Sequence, residues 1–259
     1  MLFCSLPALA QPHTFAISPE SALRRPAVQI LLAGSGSVQG ANGTFFHSDI
    51  MLLNYRTVSQ RVALTWIPNG QPAAAPVFIT ISAASGVISE DFIAGTVGVS
   101  GLGALLITGV DVNGIPDPNA QLYATERVWT PQPGTNGTVS QSFPAIATSD
   151  INLTRGTILG QRIDNRYRTN VGIVNLDTVE RSFDVIQTTD DPVNTTNTST
   201  VTVAARSMVQ FPLPLIASTA LQIAIQPRVE INPALWMAYG SSVDNVTGDS
   251  WSNLAFQAR

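Results

Sequence analysis

Apolar side chains return at every second position along several stretches of the chain. Val62, Leu64 and Trp66 alternate with polar or small residues, and Phe183 and Val185 repeat the pattern roughly 120 residues later. Period-two spacing marks a strand with one buried face, because successive side chains point to opposite sides. Each alternating run follows a mainly apolar run that stops at an asparagine, "DIMLLN" at Asn54 and "NVGIVN" at Asn175. An asparagine side chain at such a place can bond nearby backbone and open a turn.

The two stretches align without a gap. Phe46 meets Tyr167, Asp49 meets Asn170, Val58 meets Val179, Val62 meets Phe183 and Leu64 meets Val185. The parallel continues in order. "FITISAASGVI" from Phe78 answers "TVTVAARSMVQ" from Thr200, pairing Ile81 with Val203 and Val87 with Val209. "GALLITG" from Gly103 parallels "ALQIAIQ" from Ala220, and "QLYATERVW" from Gln121 parallels "ALWMAYGSS" from Ala234. "GTVSQSFPA" from Gly137 matches "GDSWSNLAFQA" from Gly248 more loosely. Ordered recurrence of this kind points to two complete β units rather than a solenoid. Helix signals are poor, since β-branched residues, Gly and Pro are dense. A short helical or irregular crossover is expected near Ser89–Asp91 and at the equivalent "PLPLIAS" from Pro212. The Pro/Gly-rich stretches from Pro68, Val112 and Thr130 read as loops at the ends of a sandwich.

The expected fold is all-β, with two tandem immunoglobulin-like antiparallel β-sandwich domains related by internal duplication. The boundaries read as 30–147 and 148–259, with the junction inside "PAIATSDINLTRG". Residues 11–29 have no counterpart in the second repeat. They read as an extra strand on the first domain, or as a donor-like strand against a neighbouring subunit.

Composition narrows the function classes. Apolar residues make up 44% of the 259, enough for a substantial core, but charged residues only 12%, about half of ordinary usage. A net charge of −4 leaves no basic field for a phosphate backbone, so nucleic acid is a poor partner. All the basic residues are arginine. The single cysteine, Cys4, rules out an internal disulfide and a thiolate metal site. It lies in "MLFCSLPALAQ", which reads as a truncated signal-peptide-like segment over residues 1–10. Later apolar runs such as "GLGALLITGV" are too short to span a membrane as a helix. Low charge with abundant Thr, Ser and Asn fits a secreted or cell-surface protein, and six Asn-x-Ser/Thr sequons fall at Asn42, Asn136, Asn152, Asn194, Asn197 and Asn245.

Candidate chemistry is sparse, and no catalytic residue or cofactor is expected. The histidines are His13 and His47, without zinc spacing. Ser48 and Asp49 adjoin His47, but neighbours on a strand point to opposite faces and a triad draws on separate elements. Glu90–Asp91 has no partner carboxylate placed by the sequence for glycoside hydrolysis. "DVNGIPDPN" offers Asp111, Asn113, Asp117 and Asn119 as oxygen ligands for a weak calcium site, though it lacks a full calcium loop and reads first as a surface turn. Trp66 continues the apolar alternation of its strand and reads as core, and Trp236, which pairs with Tyr123 in the repeat, reads as core likewise. Trp251, in "GDSWSN", is the best exposed ring for stacking on a sugar or a partner. Arg162, Arg166 and Arg168, with Asp164 among them, read as an ion-pair network or a domain contact, and secondarily as a ligand or interface site.

The phrase "GANGTFFHSDIMLLN" from Gly40, its echo "IDNRYRTNVGIVN" from Ile163, and "GTVSQSFPA" from Gly137 resemble sequence in exported bacterial proteins of unassigned function. Those proteins are built from tandem immunoglobulin-like repeats. The likeness covers most of residues 30–259, and the second repeat departs from it at "GDSWSNLAFQA". It implies secreted or surface location and carries over no catalytic residue. Two classes follow. The first is a non-enzymatic structural or surface-assembly protein, a matrix or filament subunit that self-associates or meets other cell-surface proteins. The alternative is a secreted glycan- or protein-binding module.

Overall fold

The computed structural model describes residues 13–16, 26–132, 134–151, 153–190, 195–229 and 235–257. The signal-like segment with Cys4 lies outside them. Ten strands form the first half: β1 His13–Ala16, β2 Gln29–Gln39, β3 Phe45–Asn54, β4 Gln60–Pro68, β5 Val77–Ile81, β6 Ser85–Ser89, β7 Gly101–Val110, β8 Leu122–Pro131, β9 Thr138–Phe143 and β10 Ile146–Ala147. Nine form the second: β11 Gly156–Ile163, β12 Tyr167–Asn175, β13 Arg181–Thr188, β14 Thr196–Val203, β15 Ser207–Pro212, β16 Ser218–Pro227, β17 Trp236–Asp244, β18 Ser250–Leu254 and β19 Phe256–Gln257. The protein is all-β, its strand pairs antiparallel among the described residues. A single π-helical turn, Ile93–Val97, carries the crossover from β6 to β7. Its counterpart after β15 is irregular.

The strands sort into four sheets. Sheet I runs β1-β6-β3-β8-β9 and sheet II runs β10-β2-β7-β4-β5. Sheet III runs β15-β12-β17-β18 and sheet IV runs β14-β13-β16-β11-β19. Without β1, sheet III repeats the pairing order of sheet I, and sheet IV that of sheet II. A short corner pairing, Val38 with Phe46 and Gln39 with Phe45, joins sheets I and II at one end.

Alternation decides how the sheets stack. On β2, Ile30 and Leu32 face sheet I and enter a core with Ile50, Leu52, Leu64, Trp66 and Phe92. Leu31 and Ala33 face the opposite way, joined by Ile67 of β4 and Ala104 of β7. These share one apolar cluster with Val174, Met208 and Met237 of sheet III, and Phe143 of β9, at the edge of sheet I, reaches the same face 5.1 Å from the Tyr239 ring. The other face of sheet III, with Val171, Ile173 and Trp236, packs on Phe183, Ile223 and Ile225 of sheet IV. The halves therefore stack face to face as I-II-III-IV. Sheets II and III are covered on both sides, which explains why β17 is buried at all nine positions and β2 from Ile30 to Ser37. Gly172 is required here, because a Cβ would lie 2.2 Å from the Tyr239 ring. Since one apolar cluster runs across the junction, the halves are expected to melt in a single calorimetric transition. Two separated transitions would contradict the shared core.

Two segments take places that the sequence left open. The loop after Pro68 leaves the end of β4 and crosses to β15, where Gly70 N–H donates to the Met208 carbonyl at 2.8 Å and Ala73 N–H to the Arg206 carbonyl at 2.9 Å. The Gln210 N–H donates to Asn69 Oδ1 at 2.7 Å, and Ser207 Oγ donates to the Gln71 carbonyl at 2.8 Å. The reason is that a bare edge strand leaves backbone groups unpaired, and this loop satisfies them. The extension before β2 also finds a place on its own chain. His13–Ala16 pairs with Ser85–Ile88 along the outer edge of β6.

Candidate functional site

The sequence "FFHSD" alternates about the plane of sheet I. Ser48 and Ile50 turn inward and are fully buried, while Phe45, His47 and Asp49 take the outer face. Antiparallel register sets His47 opposite Trp129 and Asp49 opposite Arg127 of β8. A column of rings results. Phe45 lies 4.8 Å from His47, and His47 lies 4.8 Å from Trp129. The Arg127 guanidinium sits 5.6 Å from the Trp129 ring and 3.6 Å from Asp49 Oδ2. Trp129 Nε1–H donates to Asp49 Oδ1 at 2.7 Å, which fixes the indole in place. Phe45 is exposed, and His47 and Trp129 are half-buried.

Asp91 completes the cluster. It adopts a left-handed φ of 49°, uncommon for a residue other than glycine. From there its Oδ2 meets His47 Nδ1 at 2.7 Å and accepts from Ser37 Oγ at 2.9 Å. The serine and the imidazole share one carboxylate oxygen rather than bonding each other. Ser48, buried on the other face, accepts from Gly36 N–H at 2.8 Å. Neither serine is therefore placed for His47 to take its proton. What the group can do is present flat rings beside carboxylates and a guanidinium, the means by which proteins hold sugar rings and polar peptides.

The other candidates are dispersed. Asp111 Oδ1 accepts from the N–H groups of Asn113 and Ile115 at 2.8 and 2.9 Å. Asp117 accepts from Asn119 N–H at 2.9 Å and pairs with Arg56 at 2.5 Å. These carboxylates close turns and anchor an arginine, and both partners hold the Asp117 carboxyl below the usual carboxylate range. Among the described residues no group of three His, Cys, Asp or Glu side chains gathers for a metal. Trp251 is half-buried, as Trp129 is; its Nε1–H donates to the Gly160 carbonyl at 2.9 Å, and its ring lies 5.8 Å from Tyr167.

The three arginines stay together, with Arg162 and Arg166 at 4.0 and 5.5 Å from the one Tyr167 ring, but each takes its own side-chain partner. Arg162 binds Asp164 at 2.8 Å and lies 4.0 Å over the Tyr167 ring. Arg166 binds Asp244 through Nε and Nη2 at 2.9 and 2.6 Å and holds that carboxyl far below its usual range. Arg168 donates to Asn245 Oδ1 and has no carboxylate within ion-pair distance among the described residues.

Sequence reasoning passed over Glu126. On β8 it occupies the inward phase with Leu122, Ala124 and Val128, and it is 4% exposed. Neither carboxyl oxygen has a hydrogen-bond partner among the described residues. Burial pushes the carboxyl up to about 7, although the nearby Ser35 and Ser48 hydroxyls pull the other way. An acidic residue in an apolar phase is a signal visible in "LYATERVW".

No protein-family model and no curated protein matches the chain. Among solved structures, vicilin from hazelnut (Corylus avellana) aligns over 85% of this chain and 82% of its own at 8% identity, with a TM-score of 0.17. A likeness that slight carries no argument.

Proposed function

We propose that the chain is an exported, non-enzymatic binding module that holds a glycan. In this reading two immunoglobulin-like sandwiches, residues 30–147 and 148–259, descend from one duplicated unit. The recurring pairing order supports the duplication, as do Asn54 and Asn175, whose hydrogen bonds correspond one for one. The resemblance to exported bacterial repeat proteins supports the location.

The binding role rests on the ring column of Phe45, His47 and Trp129 on the outer face of sheet I. A sugar ring offers an apolar C–H face for such rings and hydroxyls for Asp49 and Asp91. Titration with soluble oligosaccharides is the test. The wild type is expected to bind at least one class, and Trp129→Ala to weaken it about tenfold, near the worth of one aromatic contact. Equal binding by the variant, or no glycan bound across a broad array, would overturn this reading.

Assembly into a matrix or filament is the second reading, favoured by two open edges. Among the described residues β14, "TNTSTVTV", pairs only with β13, and β5, "VFITI", pairs only with β4. Neither carries a charge, and uncharged edges accept further strands readily. Light scattering that gives a monomer at high concentration would remove this reading.

A further inference from the structure

Sheets II and III do not meet along their whole length. Near the β2–β3 corner they part around a cavity of about 240 Å3. Period-two geometry supplies its polar wall. On β12, Arg168 and Asn170 face away from the sandwich core, toward sheet II, with Ser241 directly opposite Asn170 on β17. Gln210 of β15, opposite Gly172, adds a fourth polar group to this face. Phe46, Leu102 and Phe143 from the first half provide an apolar wall.

Several hydrogen-bond donors face the cavity. The Arg168 guanidinium is half-buried, and that burial lowers its pKa from the ordinary value. Its partner is a neutral amide oxygen, that of Asn245. The Gln210 amide oxygen accepts from Tyr239 O–H at 2.6 Å, and the Gln141 amide oxygen accepts from Ser241 Oγ at 2.9 Å. Each glutamine is left with an NH2 group that has no acceptor among the described residues. Ser35 also lines the cavity and is fully buried, and its hydroxyl has no hydrogen-bond partner among the described residues. No aspartate or glutamate belongs to the lining. Glu126, whose carboxyl lies near the Ser35 hydroxyl, is outside it. A cation with no carboxylate in the lining, among amide N–H donors and beside an apolar wall, is complementary to an anion with an apolar body.

We propose that this cavity binds a small organic monocarboxylate, its carboxylate on Arg168 and the glutamine amides, its short aliphatic or aromatic body against Phe46, Leu102 and Phe143. The site is separate from the ring column and stands whether or not that column binds glycan. Calorimetric titration of the full chain with benzoate and hexanoate, against benzamide and hexanamide, tests it. At least one acid is expected to bind saturably, with its amide about tenfold weaker or more, the span of a charge-assisted hydrogen bond. Arg168→Met is expected to lose the acid by about the same factor, and Trp129→Ala to keep wild-type affinity. Should Arg168→Met fail to fold, Arg168→Lys carries the test. It keeps the charge but not the fork, and is expected to bind the acid severalfold more weakly. No saturable binding of either acid at millimolar concentration would overturn the proposal. So would equal affinity for acid and amide, or wild-type affinity in a folded Arg168 variant.

Discussion

Asn54→Ala is expected to destabilise the protein by about 3–5 kcal/mol, near the upper end for a single substitution. The Asn54 amide donates to the carbonyls of Val58, Ile81 and Ser82 at 2.9, 3.3 and 3.0 Å, and its oxygen accepts from Arg56 N–H at 3.0 Å. One fully buried side chain thus ties the end of β3 to its own turn and to the turn between β5 and β6. Alanine strands three carbonyls and an N–H, and burying unpaired backbone groups costs about 1–3 kcal/mol each before relaxation. Asn175→Ala is expected to cost as much. Its amide donates to Val179, Val203 and Ala204 at 2.9, 3.1 and 3.0 Å, and Asp177 N–H donates back at 3.0 Å. Asn54→Asp should be no better than alanine at neutral pH, since a carboxylate would face three carbonyl oxygens. Urea unfolding of the three variants checks this. A loss below about 1 kcal/mol, the net worth of one ordinary hydrogen bond, would show that neither asparagine holds its turn.

Stability is also expected to fall between about pH 4.5 and pH 7, with Glu126 as the cause. Its carboxyl ionises near the ordinary 4.5 in the unfolded chain but near 7 in the fold. Between those values the native state holds a proton that the unfolded chain has released. Stability therefore drops as pH rises, by about 1.4 kcal/mol per unit and about 3 kcal/mol in all. Asp164, Asp177 and Asp244 act in the opposite sense. Their carboxyls are held below the ordinary 3.8, so their contribution is lost only as pH falls below about that value. The windows do not overlap, and Glu126→Gln should abolish the decline above pH 4.5 while leaving the acid limb. Unfolding curves at half-unit pH steps would show it. An identical slope in the variant would assign the decline to another group.

Much of the strand order could be read along the chain. Every aligned segment occupies corresponding strands in the two halves, and the paired asparagines stand where the apolar runs stop. These features are local. Alternation follows from strand geometry, and an asparagine that turns back on its own backbone needs only its neighbours. Trp66 followed the same logic into the core, at 3% exposure; Trp236 is also core, at 0%, but its counterpart is Leu122 rather than Tyr123, one residue from the aligned position. The setting of Trp251 is made by Gly160 and Tyr167, which lie far from it in sequence. The arginines show the same limit. Asp164 lies two residues from Arg162 and could be guessed, whereas Asp244, which takes Arg166, lies 78 residues away.

By itself, then, the sequence determined an all-β protein, the recurrence of its strands along the chain, the asparagine-closed turns and the inward phase of the alternating strands such as β4 and β13. Tertiary structure alone decided that the halves stack face to face, that the loop after Pro68 seals the edge of β15, and that His47 meets Asp91. It also decided that Arg168, of three similar arginines, lines a cavity with no carboxylate in its lining. The physical reason is that period two states which side chains share a face but not what that face meets. Leu31 and Leu32 are equally apolar in the sequence, and only the stacking of sheets sends one toward the second half and the other into the first.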